Sequence, residues 1–290
     1  MSRIGTVAGQ GRETFDGARK EIALTRQEAL RHRPDPPEEG LVLDVGSGPA
    51  ADPRVDVTVD PDLLLTAERS ADAPATEKSA RALVVADPEH LPFAGGAFAY
   101  AIIDEVLTGA GDPAAVASEL ARLAPRGFAQ VPSRASELVF GGPRDRWLVD
   151  LEEDETLVFA TKEGEPPGAA DASAAYEESL LIRLGWAAHR SRWRHSVAWT
   201  GTLAVRVEGA PGPRTAPEVD VERVLVHLED ENRRGRLPFM SPQIMDLLRC
   251  PASGGVLTRR GRWMDSAGAG LSYPVVGPVP VLLAAAAKPL

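Results

Sequence analysis

Short apolar runs, each closed by an acidic residue, glycine or proline, recur along the first half of the chain. Residues 41–43 (LVL) are continuously apolar and stop at Asp44, with Gly46 and Gly48 just beyond. A run of this kind fits a strand buried on both faces of a parallel sheet. Similar runs at residues 55–59 (VDVTV), 81–87 (RALVVAD), 97–104 (AFAYAIID) and 127–132 (GFAQVP) predict further strands, several ending in Asp. Residues 114–123 have helical spacing and end before Pro125. Residues 13–33 are rich in helix formers, and Pro34, Pro36 and Pro37 stop that segment, because proline removes a donor and blocks the preceding turn. Strands alternating with helical or loop connections predict a doubly wound α/β sheet with its ligand at the strand carboxyl ends.

The second half has a different rhythm. Residues 146–162 predict a hairpin around the acidic turn 152–155, and residues 172–184 a helix. Residues 193–207 (WRHSVAWTGTLAVRV) alternate like one long strand bent at Gly201, an antiparallel extension of the sheet. Trp147, Trp186, Trp193 and Trp199 read as packing residues rather than a stacking platform. Residues 209–217 (GAPGPRTAP) are a linker, and residues 218–234 form a charged helix with Val221, Val224, Leu225 and Leu228 on one stripe. A small α+β module follows, with a short helix in SPQIMDLLRCP and then strands and turns to SYPVVGPVPVLL. The expected organisation is an N-terminal helical arm (1–40), an α/β domain (41–208), a linker with its connecting helix (209–240) and a terminal module (241–290).

At 290 residues and 43% hydrophobic composition, the chain can bury a substantial core. No apolar run is long enough to span a bilayer and the first residues lack the apolar core of a signal peptide, so a cytoplasmic location without membrane contact is expected. A single cysteine, Cys250, and 5 histidines do not make a zinc cage, so no metal is expected. The net charge of −10 is concentrated in the centre of the chain, since both ends are mildly basic. Such an acidic body argues against broad contact with a phosphate backbone, which needs a positive surface.

The glycine turn gains weight from the acids around it. Asp60 closes the second run and Asp87 the third, and carboxylates at successive strand ends can bracket a nucleoside through its hydrogen-bond donors. Taken in order, LVLDVGSGPA, Asp60, ADPEHLPFAGGAFAYAIIDEVL and SELARLAPRGFAQVPS resemble the class I S-adenosylmethionine-dependent methyltransferases over roughly residues 41–133. The resemblance implies a Rossmann-like sheet with an antiparallel extension. It also implies that Asp44, Gly46 and Gly48 approach the methionine end of S-adenosylmethionine, that Asp60 holds the ribose and that Asp87 meets the adenine amine. The chain departs from that family at Ala50 and Ala51, where many relatives have a third glycine, and in the short run from Asp44 to Asp60, which predicts a truncated first crossover around residues 49–53. After the fourth strand Asp104 and Glu105 stand where a general base would be needed to deprotonate an acceptor.

Residues 241–284 resemble the small zinc-ribbon proteins that activate methyltransferases. Cys250 remains, Ser253 replaces its partner, and residues 263–271 contain no cysteine. The expectation is therefore a ribbon without zinc ligands, packed in cis on the methyltransferase body. The function expected is methyl transfer from S-adenosylmethionine to a small molecule. The alternatives are a catalytically inactive methyltransferase-like scaffold and, suggested only by the activator-like module, modification of RNA or a translation factor. The oligomeric state and the acceptor are left open.

Overall fold

β1 (Val42–Val45), β2 (Val57–Val59), β3 (Leu83–Ala86), β4 (Tyr100–Asp104) and β5 (Arg126–Pro132) lie in the order β3-β2-β1-β4-β5, with each neighbouring pair parallel. The computed structural model describes residues 35–46, 54–61, 63, 82–164, 166–182, 185, 189–212 and 219–290. The expected helix at 13–33, Gly48, the crossover around 49–53 and Trp186 lie outside the described residues. β1 and β2 are buried along their whole length, which accounts for their largely apolar sequences; the two polar residues within them, Asp44 and Thr58, are buried as well and stand opposite each other in register. Leu43, Val45, Val57, Val59 and Ile103 share one apolar cluster, while Val42, Tyr100, Ile102 and Phe128 share another. Strand order reverses between β1 and β4, and it is outside the carboxyl ends of strands at such a reversal that α/β sheets bind ligands.

α1 (Pro113–Leu123) joins β4 to β5. Its N-cap Asp112 accepts from the Ala114 and Ala115 amides, and it buries Val116, Ala117, Leu120 and Leu123. α2 (Arg134–Phe140) follows β5, with Ser133 as its cap. β6 (Trp147–Leu151) and β7 (Leu157–Thr161) form the expected hairpin, and α3 (Ala169–Glu178) comes next. Trp147 and Trp199 are buried packing residues, and Trp147 Nε1 donates to the Ala110 carbonyl at 2.8 Å.

After the short helix α4 (Arg190–Trp193), the structure divides what the alternation presents as one bent strand. β8 (Arg194–Thr200) pairs antiparallel with β5, whereas β9 (Val205–Glu208) pairs parallel with β7 in a separate sheet that has, among the described residues, 3 strands in the order β6-β7-β9. Gly201 makes the break, because its φ of +77° turns the chain out of extended geometry.

α5 (Val221–Arg233) buries Val224 and Leu228, and α6 (Pro242–Leu247) opens the terminal region. β10 (Thr258–Arg260), β11 (Trp263–Ser266), β12 (Leu271–Val276) and β13 (Val279–Leu282) form an antiparallel meander, with β14 (Lys288–Pro289) added to β12. β13 then pairs parallel with β3 and joins the meander to the central sheet, which has 11 strands among the described residues. Contact continues at Phe93, which bridges Leu248, and at the Arg249 amide, which donates to the Pro92 carbonyl at 2.8 Å. Cys250 is buried, with its sulfur 3.5 Å from the Tyr273 hydroxyl. Burial opposes ionisation of this thiol, but the polar surroundings that Ser253 and Tyr273 provide outweigh it and bring the thiol down to about 7.

Candidate functional site

The carboxyl ends of the parallel strands open onto a cavity of about 480 Å³. Gly46 after β1, Asp60 after β2, Asp87 after β3 and Glu105 with Val106 after β4 all line it. Gly46 has a φ of +87°, and a Cβ there would lie 3.1 Å from the Asp104 carbonyl as well as on the Val106 side chain. Only glycine fits a turn closed this tightly. Asp60 is 3% exposed, and its amide donates to the Val84 carbonyl at 3.1 Å. Asp87 is half-exposed and accepts from the Glu89 amide at 2.9 Å.

The opposite wall comes from loops. Glu89 Oε1 accepts from the Gly111 amide at 2.6 Å and the Asp112 amide at 3.2 Å, tying the loop after β3 to the start of α1. The loop between α2 and β6 brings Arg144, Asp145 and Arg146 to the rim. Fully buried Thr108 anchors that loop: its hydroxyl donates to Asp145 at 2.7 Å and its carbonyl accepts from the Arg146 amide at 2.7 Å.

The residues singled out from the sequence separate into three groups. Gly46, Asp60, Asp87 and Glu105 meet at one cavity. Asp44 lies within β1 rather than at its end; it is fully buried, pairs in register with Thr58 and Ile102, and is not among the cavity's lining residues. Asp104, the last residue of β4, accepts from Gln130 Nε2 at 3.2 Å, lies 3.8 Å from Arg194 and lines neither this cavity nor its neighbour. Glu105 has the left-handed φ of 59°, uncommon for a residue with a side chain, and is ion-paired with Arg194.

A neighbouring cavity of about 380 Å³ lies under the α2–α3 segment and is lined by Glu105, Thr108, Glu137, Phe140, Asp145, Tyr176 and Arg194 among others. Phe140 meets the rings of Tyr176 and Trp193 edge-on at 6.0 and 6.3 Å. Glu137 and Lys162 form an ion pair at 2.8 Å with each side chain 3% exposed, and Lys162 also donates to the Gly142 carbonyl at 3.0 Å. Burial, reinforced by the charge of Asp145, pushes the Glu137 carboxyl up to about 7 although Lys162 opposes the shift. Sequence reasoning missed Glu89, Glu137, Asp145, Lys162 and Arg194. The one local signal was Ser133 as the cap of α2, which fixes the turn that carries Glu137.

No family model matches the sequence, and no curated protein matches it. Solved structures do. The chain is similar to the YcgJ protein from Bacillus subtilis, at 20% identity over 38% of this chain and 51% of that chain, with a TM-score of 0.30. It is similar to an S-adenosylmethionine-dependent methyltransferase from Thermotoga maritima, at 20% identity over 43% of this chain and 57% of that one, with a TM-score of 0.29. It is also similar to a Haloferax volcanii complex between a methyltransferase activator and its candidate methyltransferase, at 16% identity over 70% of this chain and 100% of that one, with a TM-score of 0.35. The chain spans about half the length of the first two. Likeness of this degree does not reach to a substrate, so the functional reading rests on the two cavities.

Proposed function

We propose that this protein transfers a methyl group from S-adenosylmethionine to a small molecule, the larger cavity taking the cofactor and the smaller one the acceptor. The observation that carries this reading is that Glu105 and Asp145 line both cavities, so ligands in the two would share a wall. A volume of about 480 Å³ is within the range of small-molecule sites. The residues fit the cofactor's chemistry: Asp60 and Asp87 are acceptors for a ribose diol and an adenine amine, and Gly46 gives the closely packed turn on the methionine side.

The bound cofactor would supply an already electrophilic methyl group. The work left to the chain is to orient the acceptor, exclude water and receive a proton where the acceptor loses one. Phe140 and Tyr176 give the acceptor cavity its apolar wall. Glu137, buried and titrating near 7, suits proton acceptance at neutral pH better than Asp104, which lines neither cavity.

A second reading, a protein that binds the cofactor without turnover, is favoured by Arg194, which engages both Asp104 and Glu105. Calorimetry with S-adenosylmethionine and S-adenosylhomocysteine tests the first step. Micromolar binding that falls about thirtyfold or more in Asp60→Ala is expected, the loss of a charge-assisted hydrogen bond. Absence of binding at any accessible concentration would remove both cofactor readings. Binding without release of S-adenosylhomocysteine across a panel of small-molecule acceptors would favour the second.

A further inference from the structure

β13 runs parallel to β3, with Val281 opposite Val85 and Leu282 opposite Ala86. Continuing that register by one residue brings Leu283 level with Asp87, and both residues line the larger cavity. Strand direction decides this placement. An antiparallel neighbour would bring its amino end to the ligand edge, whereas parallel β13 delivers its carboxyl end there with those of β3, β2, β1 and β4. Val219, next to the N-cap Asp220 of α5, lines the same cavity. Leu283 belongs to the apolar cluster of Val85, Val224, Leu228 and Val281, and Val219 packs against it, so this wall is held from behind.

We infer that the terminal region does more than cover the edge of β3: through Leu283 and Val219 it forms the base-side wall of the nucleoside site. From β13 to β4 the edge spans four strand spacings of ~4.8 Å, about 19 Å, enough for an extended nucleoside–amino acid conjugate. Val106 stands at the β4 end, so Leu283 and Val219 are the branched aliphatic side chains on the β3 side. The pairing of an apolar wall with the Asp87 carboxylate matches a purine, which buries its ring faces and donates from an exocyclic amine. Because the wall comes from the terminal region, ligand occupancy and the β13–β3 junction are linked, each strengthening the other. This inference rests on the cofactor reading above.

The test titrates the full chain with S-adenosylhomocysteine and with 5′-methylthioadenosine, which carries the base but not the amino acid. Val219→Asp puts a solvated carboxylate where the ring would be buried, and Leu283→Ala removes the wall. Each should weaken both probes by about tenfold and by the same factor. Val226→Asp, on the exposed face of α5, should stay within twofold of wild type. Leu283 is also a core residue, so circular dichroism accompanies each titration, and Val219→Asp decides if Leu283→Ala does not fold. Wild-type binding of S-adenosylhomocysteine with a folded Val219→Asp inside twofold overturns the inference and leaves the cofactor reading standing. Weakening of S-adenosylhomocysteine but not of 5′-methylthioadenosine overturns the base-side placement. Binding of neither probe by the wild-type chain overturns the cofactor reading, and this inference with it.

Discussion

A Cβ built on Gly46 would lie 2.0 Å from Cγ2 of Val106. The turn after β1 and the turn after β4 therefore close on each other at the point where strand order reverses, and both residues line the larger cavity. Gly46→Ala should destabilise the fold by about 2–3 kcal/mol, combining overpacking with a left-handed backbone that alanine disfavours. Adding Val106→Ala should recover the steric part and not the backbone part. Urea unfolding of the two single variants and the double variant measures both contributions.

Lys162 keeps Glu137 lower than burial would otherwise leave it. Lys162→Met should move the Glu137 midpoint above about 7 and cost about 3 kcal/mol near pH 8, where the wild-type Glu137 carboxyl is ionised beside Lys162 and the variant must protonate or strand a buried carboxylate. Near pH 5 the carboxyl is neutral in both proteins, and the cost should be clearly smaller. Denaturant titrations at the two pH values report the difference.

Glu137 also fixes a sign for the wild-type protein. Its folded value of about 7 exceeds its ordinary 4.5, so the folded state holds this proton more tightly than the unfolded chain does. The associated stability is fully present below about pH 4.5 and is lost as pH rises through about 7. Carbon-13 titration of the glutamate carboxyls should show one midpoint near 7 that disappears in Glu137→Gln. The same substitution should make the slope of unfolding free energy against pH more positive across that window.

Glu105 occupies a backbone conformation that suits glycine better than glutamate. Glu105→Gly should raise unfolding free energy by about 1 kcal/mol relative to Glu105→Ala, since both lose the Arg194 ion pair and only glycine relieves the φ. If the proposed methyl transfer is this protein's activity and Glu105 orients the acceptor, both variants should also lose it. A stabilised and inactive Glu105→Gly would mark the strain as retained for function.

The parallel strands were legible because burial on both faces leaves a mostly apolar sequence, as in Val42–Val45 and Val57–Val59, each with a single polar residue, Asp44 and Thr58. The hairpin at 152–155 was legible from its acidic turn between alternating segments. Gly201 was visible as a bend, but the choice that sends Val205–Glu208 to another sheet depends on the position of β7, which no local pattern encodes. Glu137 lies on α2 and Lys162 just past the end of β7, and nothing in either neighbourhood announces a buried partner. Glu105 was found from its place after a strand, yet its left-handed φ and its pairing with Arg194 are products of tertiary contact. Leu283 was expected only as the end of an apolar run; its place beside Asp87 follows from a register between strands far apart in sequence.

The β3–β13 junction also sets a timetable for synthesis. Residues 83–86 emerge from the ribosome long before residues 279–282. At typical elongation rates, the roughly 200 intervening residues take roughly 10–40 s to appear. Through that interval the outer edge of β3 lacks the strand it will pair with, and an open edge is a template for any other extended chain. Nascent chains stalled in this window should be the aggregation-prone species of this protein and the ones most in need of a chaperone.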